Sequence, residues 1–129
     1  MTRTILYGLG AYFICNGAIM WTAPLPWYNS VPGVAATGGF NAHFIRDVAI
    51  AFAVSGAGLV VAARTDNRPL ALFAAGFPVL HAAFHLWIWG LHRGAALDLV
   101  AFVNLVGIQL PAWLALIAAG RLGNTEARA

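Results

Sequence analysis

His43 and Asp47 stand four residues apart, and so do His81 and His85. On a helix, side chains at i and i+4 project from consecutive turns of one face. Each pair can therefore hold one ion between two donors. Two such pairs on antiparallel neighbours supply four N/O ligands, a set suited to zinc, copper or iron. A haem b held by two neutral imidazoles on different helices, with His43 and His85 as the candidates, is the other option. Arg46, His92, Arg93 and Asp98 lie near these pairs in the chain order. They read as charge balance, with Arg46 and Asp47 facing Asp98 and Arg93.

The elements that must carry these residues are four long apolar runs, expected over 4–22, 41–63, 69–91 and 95–119. Each is about 19–25 residues long, which matches a hydrocarbon core of about 30 Å at about 1.5 Å per residue. The connectors RTDNR and His92-Arg93-Gly94 are short. They force antiparallel neighbours, which makes the fold an all-α, up-down four-helix membrane bundle, with the whole chain as one domain. The linker APLPWYNSVPGVAATGGF is rich in Pro, Gly and aromatic residues, a composition that favours a loop at headgroup level. Asn41 is placed to cap the second span. Pro69 suits the first turn of the third, and Pro78 is expected to kink it. Small residues from Ala49 to Gly58 permit close helix approach and also suit self-association.

Composition supports the same class. Of 129 residues, 61% are hydrophobic and 9% charged, against about 45–50% and about 25% in soluble domains. The seven basic residues are all Arg, set singly at segment ends. They point to lipid headgroups and not to nucleic acid. Cys15 is the single cysteine and cannot form an internal disulfide. The run after Arg3 is long for a signal sequence and lacks a small-x-small cleavage site, so it reads as a retained span. No Ser/His/Asp or Cys/His nucleophile set and no pair of membrane glutamates is present, which argues against hydrolytic and di-iron chemistry.

Arginine counting sets an expected orientation. With the N-terminus inside, Arg3, Arg64, Arg68, Arg121 and Arg128 lie on the inner side, and Arg46 and Arg93 on the outer. Both termini are then cytoplasmic in a bacterial inner membrane. In that frame the ionisable residues gather in the outer half of the bundle. His43 lies near the boundary and Asp47 about one turn deeper; His85 lies about two turns in and His81 one turn beyond it. His92 sits at the boundary, about 16 Å from His81 along the axis, so all three His of that span cannot share an ion. His43, Asp47 and His85 match in depth, with His81 or Asp98 as a further ligand. Asn16 and Asn104 lie at the depth of His85 as supporting polar groups, and a neutral His81 bonded to one of them is an ordinary interhelical device. Trp87 and Trp89 read as anchors at the interface.

A first span, a Trp/Pro-rich outer loop and the run FNAHFIRDVAIAF leading into span two resemble small bacterial four-span membrane families of unknown function. In size and span count the chain also resembles DoxX-like membrane proteins. The resemblance implies the layout and no catalytic residue. The expected function is a small membrane protein without autonomous catalysis. Its outward-facing His/Asp/Arg cluster would bind a metal, haem or small polar ligand, or dock a partner. Two alternatives stand beside it: a membrane oxidoreductase or accessory subunit that uses the His cluster, and a purely structural assembly subunit.

Overall fold

Each apolar run becomes one membrane-length helix. The computed structural model describes residues 1–123, and all its regular elements there are helical. The four spans are Thr2–Thr22, Ala42–Thr65, Arg68–His92 and Leu99–Arg121. The first is α1, Thr2–Thr22, and the second is α3, Ala42–Thr65. The third comprises α4, Arg68–Trp87, continued by a π-helical turn over Ile88–His92. The fourth comprises α5, Leu99–Asn104, a second π-helical turn over Leu105–Gln109, and α6, Leu110–Arg121. The polar tail beyond Gly123, which includes Arg128, lies outside the described residues.

Local chemistry explains the boundaries. The Asn41 side chain accepts the Phe44 amide at 3.0 Å and starts α3. Asp66, in a left-handed conformation (φ 53°), ends it. Asn67 then accepts the Leu70 amide at 3.0 Å and starts α4. The turn between the two spans is therefore only Asp66 and Asn67. α4 continues as α-helix on both sides of the buried Pro78. The fourth span begins at Leu99 and not near Ala95, because Asp98 is its N-cap and accepts the Ala101 amide at 2.9 Å.

The linker after α1 is more ordered than its composition suggests. It forms a short helix α2, Pro24–Ser30, with Pro in its first turn, and a 3₁₀ turn over Val34–Thr37. The Tyr28 hydroxyl donates to the Gly38 carbonyl at 2.6 Å, and the Tyr28 ring meets Phe40 edge-on at 5.5 Å. Gly33 (φ 91°) lies so close to Val100 that a Cβ there would stand 2.6 Å from Val100 Cγ1. The linker is thus folded back over the fourth span.

α1 packs on α3 and α6, and α4 packs on the same two helices, so the spans form a closed ring in chain order. Between 22% and 33% of the most apolar stretch of each span is buried inside this ring, and the rest is partly or fully exposed. The α1–α3 contact is the closest. A Cβ on Gly10 would lie 2.8 Å from the Gly56 carbonyl, and one on Gly17 would lie 2.7 Å from the Ala49 carbonyl. In lipid, helices gain nothing from hiding apolar surface, so close backbone approach supplies the packing energy instead. Leu6, Phe13 and Met20 of α1, Phe52 and Leu59 of α3 and the alanine-rich faces of α4 and α6 fill the interior.

Candidate functional site

The ionisable residues at the end of the bundle that carries His43, His92 and Asp98 resolve into three groups with different surroundings. On α3, Ile45, Ala49 and Phe52 turn inward. Asp47 is five residues from Phe52, which at about 100° per residue places it about 140° away around the helix. His43, one turn earlier, shares that outer face. The His43 side chain is 90% exposed and Asp47 58%, with Nε2 of the one 3.5 Å from Oδ2 of the other. Arg46 turns toward α1, where its Nε donates to the Trp21 carbonyl at 3.2 Å and its guanidinium lies over the Trp21 ring at 5.8 Å.

The second group joins the third and fourth spans. Arg93 donates to Asp98 at 2.6 Å. Arg46 and Asp47 therefore do not supply the charge balance for Arg93 and Asp98, which satisfy each other within one connector. The Trp89 indole also belongs to this connector, donating to the Ala96 carbonyl at 2.8 Å. The Ala101 amide foremost, with the Arg93 guanidinium, holds the Asp98 carboxyl below its ordinary value. A depressed carboxylate stabilises the fold above its unfolded pKa, and that contribution disappears as pH falls through the folded value. Acidification below about pH 4, where an ordinary carboxylate takes up its proton, is therefore expected to loosen this connector. A change in tryptophan emission in that window, absent from Asp98→Asn, would confirm it; an identical titration in that variant would count against it.

His81 and His85 form the third group and the only inward-facing one. Their ring centroids are 4.6 Å apart. His81 stacks on Phe77 at 5.6 Å and meets Phe52 of α3 edge-on at 5.5 Å. His85 meets Phe84 at 6.1 Å. Both are half-buried. Among the described residues, neither imidazole makes a hydrogen bond or ion pair. No fully buried side-chain nitrogen or oxygen lacks a partner there, so the nitrogens of both rings remain within reach of a water-sized molecule. The Asn16 amide donates to Met20 Sδ at 3.4 Å, and Asn104 accepts from Gln109 at 3.0 Å. Neither is bonded to His81.

The structure thus brings His81 to His85 and His43 to Asp47, but keeps the two pairs on different faces. Among the described residues no group of three or more His, Cys, Asp or Glu converges for a metal ion. His43 and His85 likewise do not face one another, since one turns outward from the bundle and the other packs inside it. His92 leaves the face of His81 and His85 because the π turn inserts one residue, which rotates the next positions of the span by about 100°. It lies exposed, with its ring 4.6 Å from Trp87.

Gln109 is the polar residue that spacing alone does not reveal. It is buried. Its Nε2 donates to the Ala82 carbonyl of α4 at 2.9 Å and to Asn104 Oδ1 at 3.0 Å, and its Oε1 accepts from Trp113 Nε1 at 3.0 Å. The π turn over Leu105–Gln109, which ends on Gln109, offers its Gly107 carbonyl to the Tyr12 hydroxyl of α1 at 2.8 Å. These bonds fix the fourth span against the helix that carries His81 and His85. Comparison with known protein families, curated proteins and solved structures finds no match for this chain.

Proposed function

We propose that this small integral membrane protein binds a transition-metal ion through His81 and His85. The observation that carries the reading is their pairing on one face of α4, with ring centroids 4.6 Å apart and neither ring engaged in a hydrogen bond among the described residues. Neutral imidazoles at i and i+4 can both direct a lone pair to one ion at about 2.0–2.1 Å. With two protein ligands of this kind, the remaining positions of the ion are left to water or an exogenous donor. Such a site suits capture and release of an ion better than permanent structural binding. His43 and Asp47 form a separate exposed pair and take no part. The arginine distribution supports an N-in, C-in orientation in a bacterial inner membrane, with the His pair in the outer half.

A second reading is favoured by the stacking of His81 on Phe77: the imidazoles act as flat packing elements within the aromatic row Phe52–Phe77–His81. Metal titration of the detergent-purified chain distinguishes the two. Roughly one zinc or copper ion per chain is expected. His81→Ala and His85→Ala should each weaken binding by more than about tenfold, the loss of a direct ligand exceeding that of an outer partner. His43→Ala should leave it unchanged. His81→Phe keeps the stacking and should still abolish binding. Absence of stoichiometric metal, or equal loss in His43→Ala, would leave the packing reading.

A further inference from the structure

We propose that the Arg-rich end of the bundle holds a specific site for the phosphate of an anionic phospholipid, seated between Arg3 and Arg121. A cavity of about 380 Å³ opens there, where the start of α1, the end of α3 and the end of α6 meet, and both arginines line it. Among the described residues Asp66 contributes the one carboxylate in the lining, and Arg3 engages it at 3.1 Å. That ion pair uses one of the two guanidinium charges. Arg121 is exposed and, among the described residues, has no acidic partner. The cavity therefore carries an excess positive charge. A phosphodiester supplies the complementary charge.

The surface beside the cavity favours a lipid over a free anion. Counting back along α6 from Arg121 by four, seven and eleven residues gives Ile117, Leu114 and Leu110, which at that spacing share its face. All three are exposed, each by nearly half. They form an apolar track that starts below the guanidinium and runs along the span. A headgroup held by Arg121 would place its acyl chain on this track. Basic clefts between transmembrane helices at the membrane surface bind anionic headgroups in this manner.

The test is lipid retention by the full chain. The protein is equilibrated in mixed micelles holding equal phosphatidylglycerol and phosphatidylcholine, purified, and its retained lipid is quantified by mass spectrometry. Phosphatidylglycerol should dominate the retained lipid. Arg121→Gln should reduce that preference about fivefold, the effect of one basic residue near a headgroup, and Arg3→Gln should lower it further. Arg121→Lys should preserve most of it and shows that the charge, not the fold, is at issue. Arg64→Gln, in the last turn of α3 but outside the cavity lining, should change little. Retained lipid that mirrors the input, or an equal loss in Arg64→Gln, would overturn the site. Displacement of phosphatidylglycerol by inorganic phosphate would make it a free-anion site and overturn the lipid assignment.

Discussion

Replacing Gly56 by valine is expected to cost about 3 kcal/mol of bundle stability, the upper end of the range for overpacking a tight interior. The value is set by the atoms that the new side chain would meet. An ideal Cβ at Gly56 would lie 2.5 Å from the Gly10 carbonyl oxygen and 3.0 Å from the Ile14 amide nitrogen. Both are backbone atoms of α1, so no rotamer change relieves the clash and the two helices must separate. Separation also removes the reciprocal contacts at Gly10 and at Gly17, because all three lie along one interface. In lipid no hydrophobic term holds the pair together once that fit is lost. Gly76 provides the contrast. A Cβ there meets nothing within 4 Å, and Gly76→Ala should stabilise α4 by up to about 1 kcal/mol through helix propensity alone. Unfolding midpoints in mixed dodecylmaltoside and dodecyl sulfate micelles measure both. A Gly56→Val midpoint equal to the parent's would refute the close-approach argument.

Hydropathy made the four spans and their up-down order legible, because a helix in lipid must be apolar along its whole length. The small-residue face of the second span was legible for a related reason: only small side chains allow backbones to approach. The polar cluster was legible in depth but not in direction. Counting residues shows that His43 and Asp47 share a face, and that His81 and His85 do. It does not show which face looks inward, since both sides of a membrane helix are apolar. Ile45, Ala49 and Phe52 turn inward on α3, and only that fact sends His43 and Asp47 outward. The π turns were illegible in a further way. Residues five apart point about 140° away from each other on an α-helix, so Asn104 and Gln109 do not read as a pair. The π turn over Leu105–Gln109 brings them to 3.0 Å. The extra residue in the turn over Ile88–His92 moves His92 off the His81–His85 face by the same mechanism.

Gln109→Leu is expected to lower stability by about 2 kcal/mol, even though leucine is the more lipid-like residue. Gln109 is bonded to three groups. Without it the Trp113 indole N–H and the Asn104 carbonyl oxygen lose their partners, and the Ala82 carbonyl loses an interhelical donor. One interhelical hydrogen bond in a membrane averages about 0.6 kcal/mol and reaches about 1.7, and the two partners left unpaired within the fourth span bring the total to about 2 kcal/mol. Gln109→Glu keeps an acceptor for Trp113 and, as the neutral acid, one donor, so it should lose about half as much. Trp113→Phe removes one bond, and its effect should be strongly non-additive with Gln109→Leu. Gln109 also bears on the proposed metal site. Ala82 is the residue directly after His81, so the bond to its carbonyl ties the turn that carries His81 to the fourth span. Gln109→Leu is accordingly expected to weaken metal binding at His81 and His85 while leaving both ligands in place. Reduced stability with unchanged metal affinity would show that α4 alone positions the imidazoles. Reduced affinity, restored in part by Gln109→Glu, would show that the fourth span holds the pair in register.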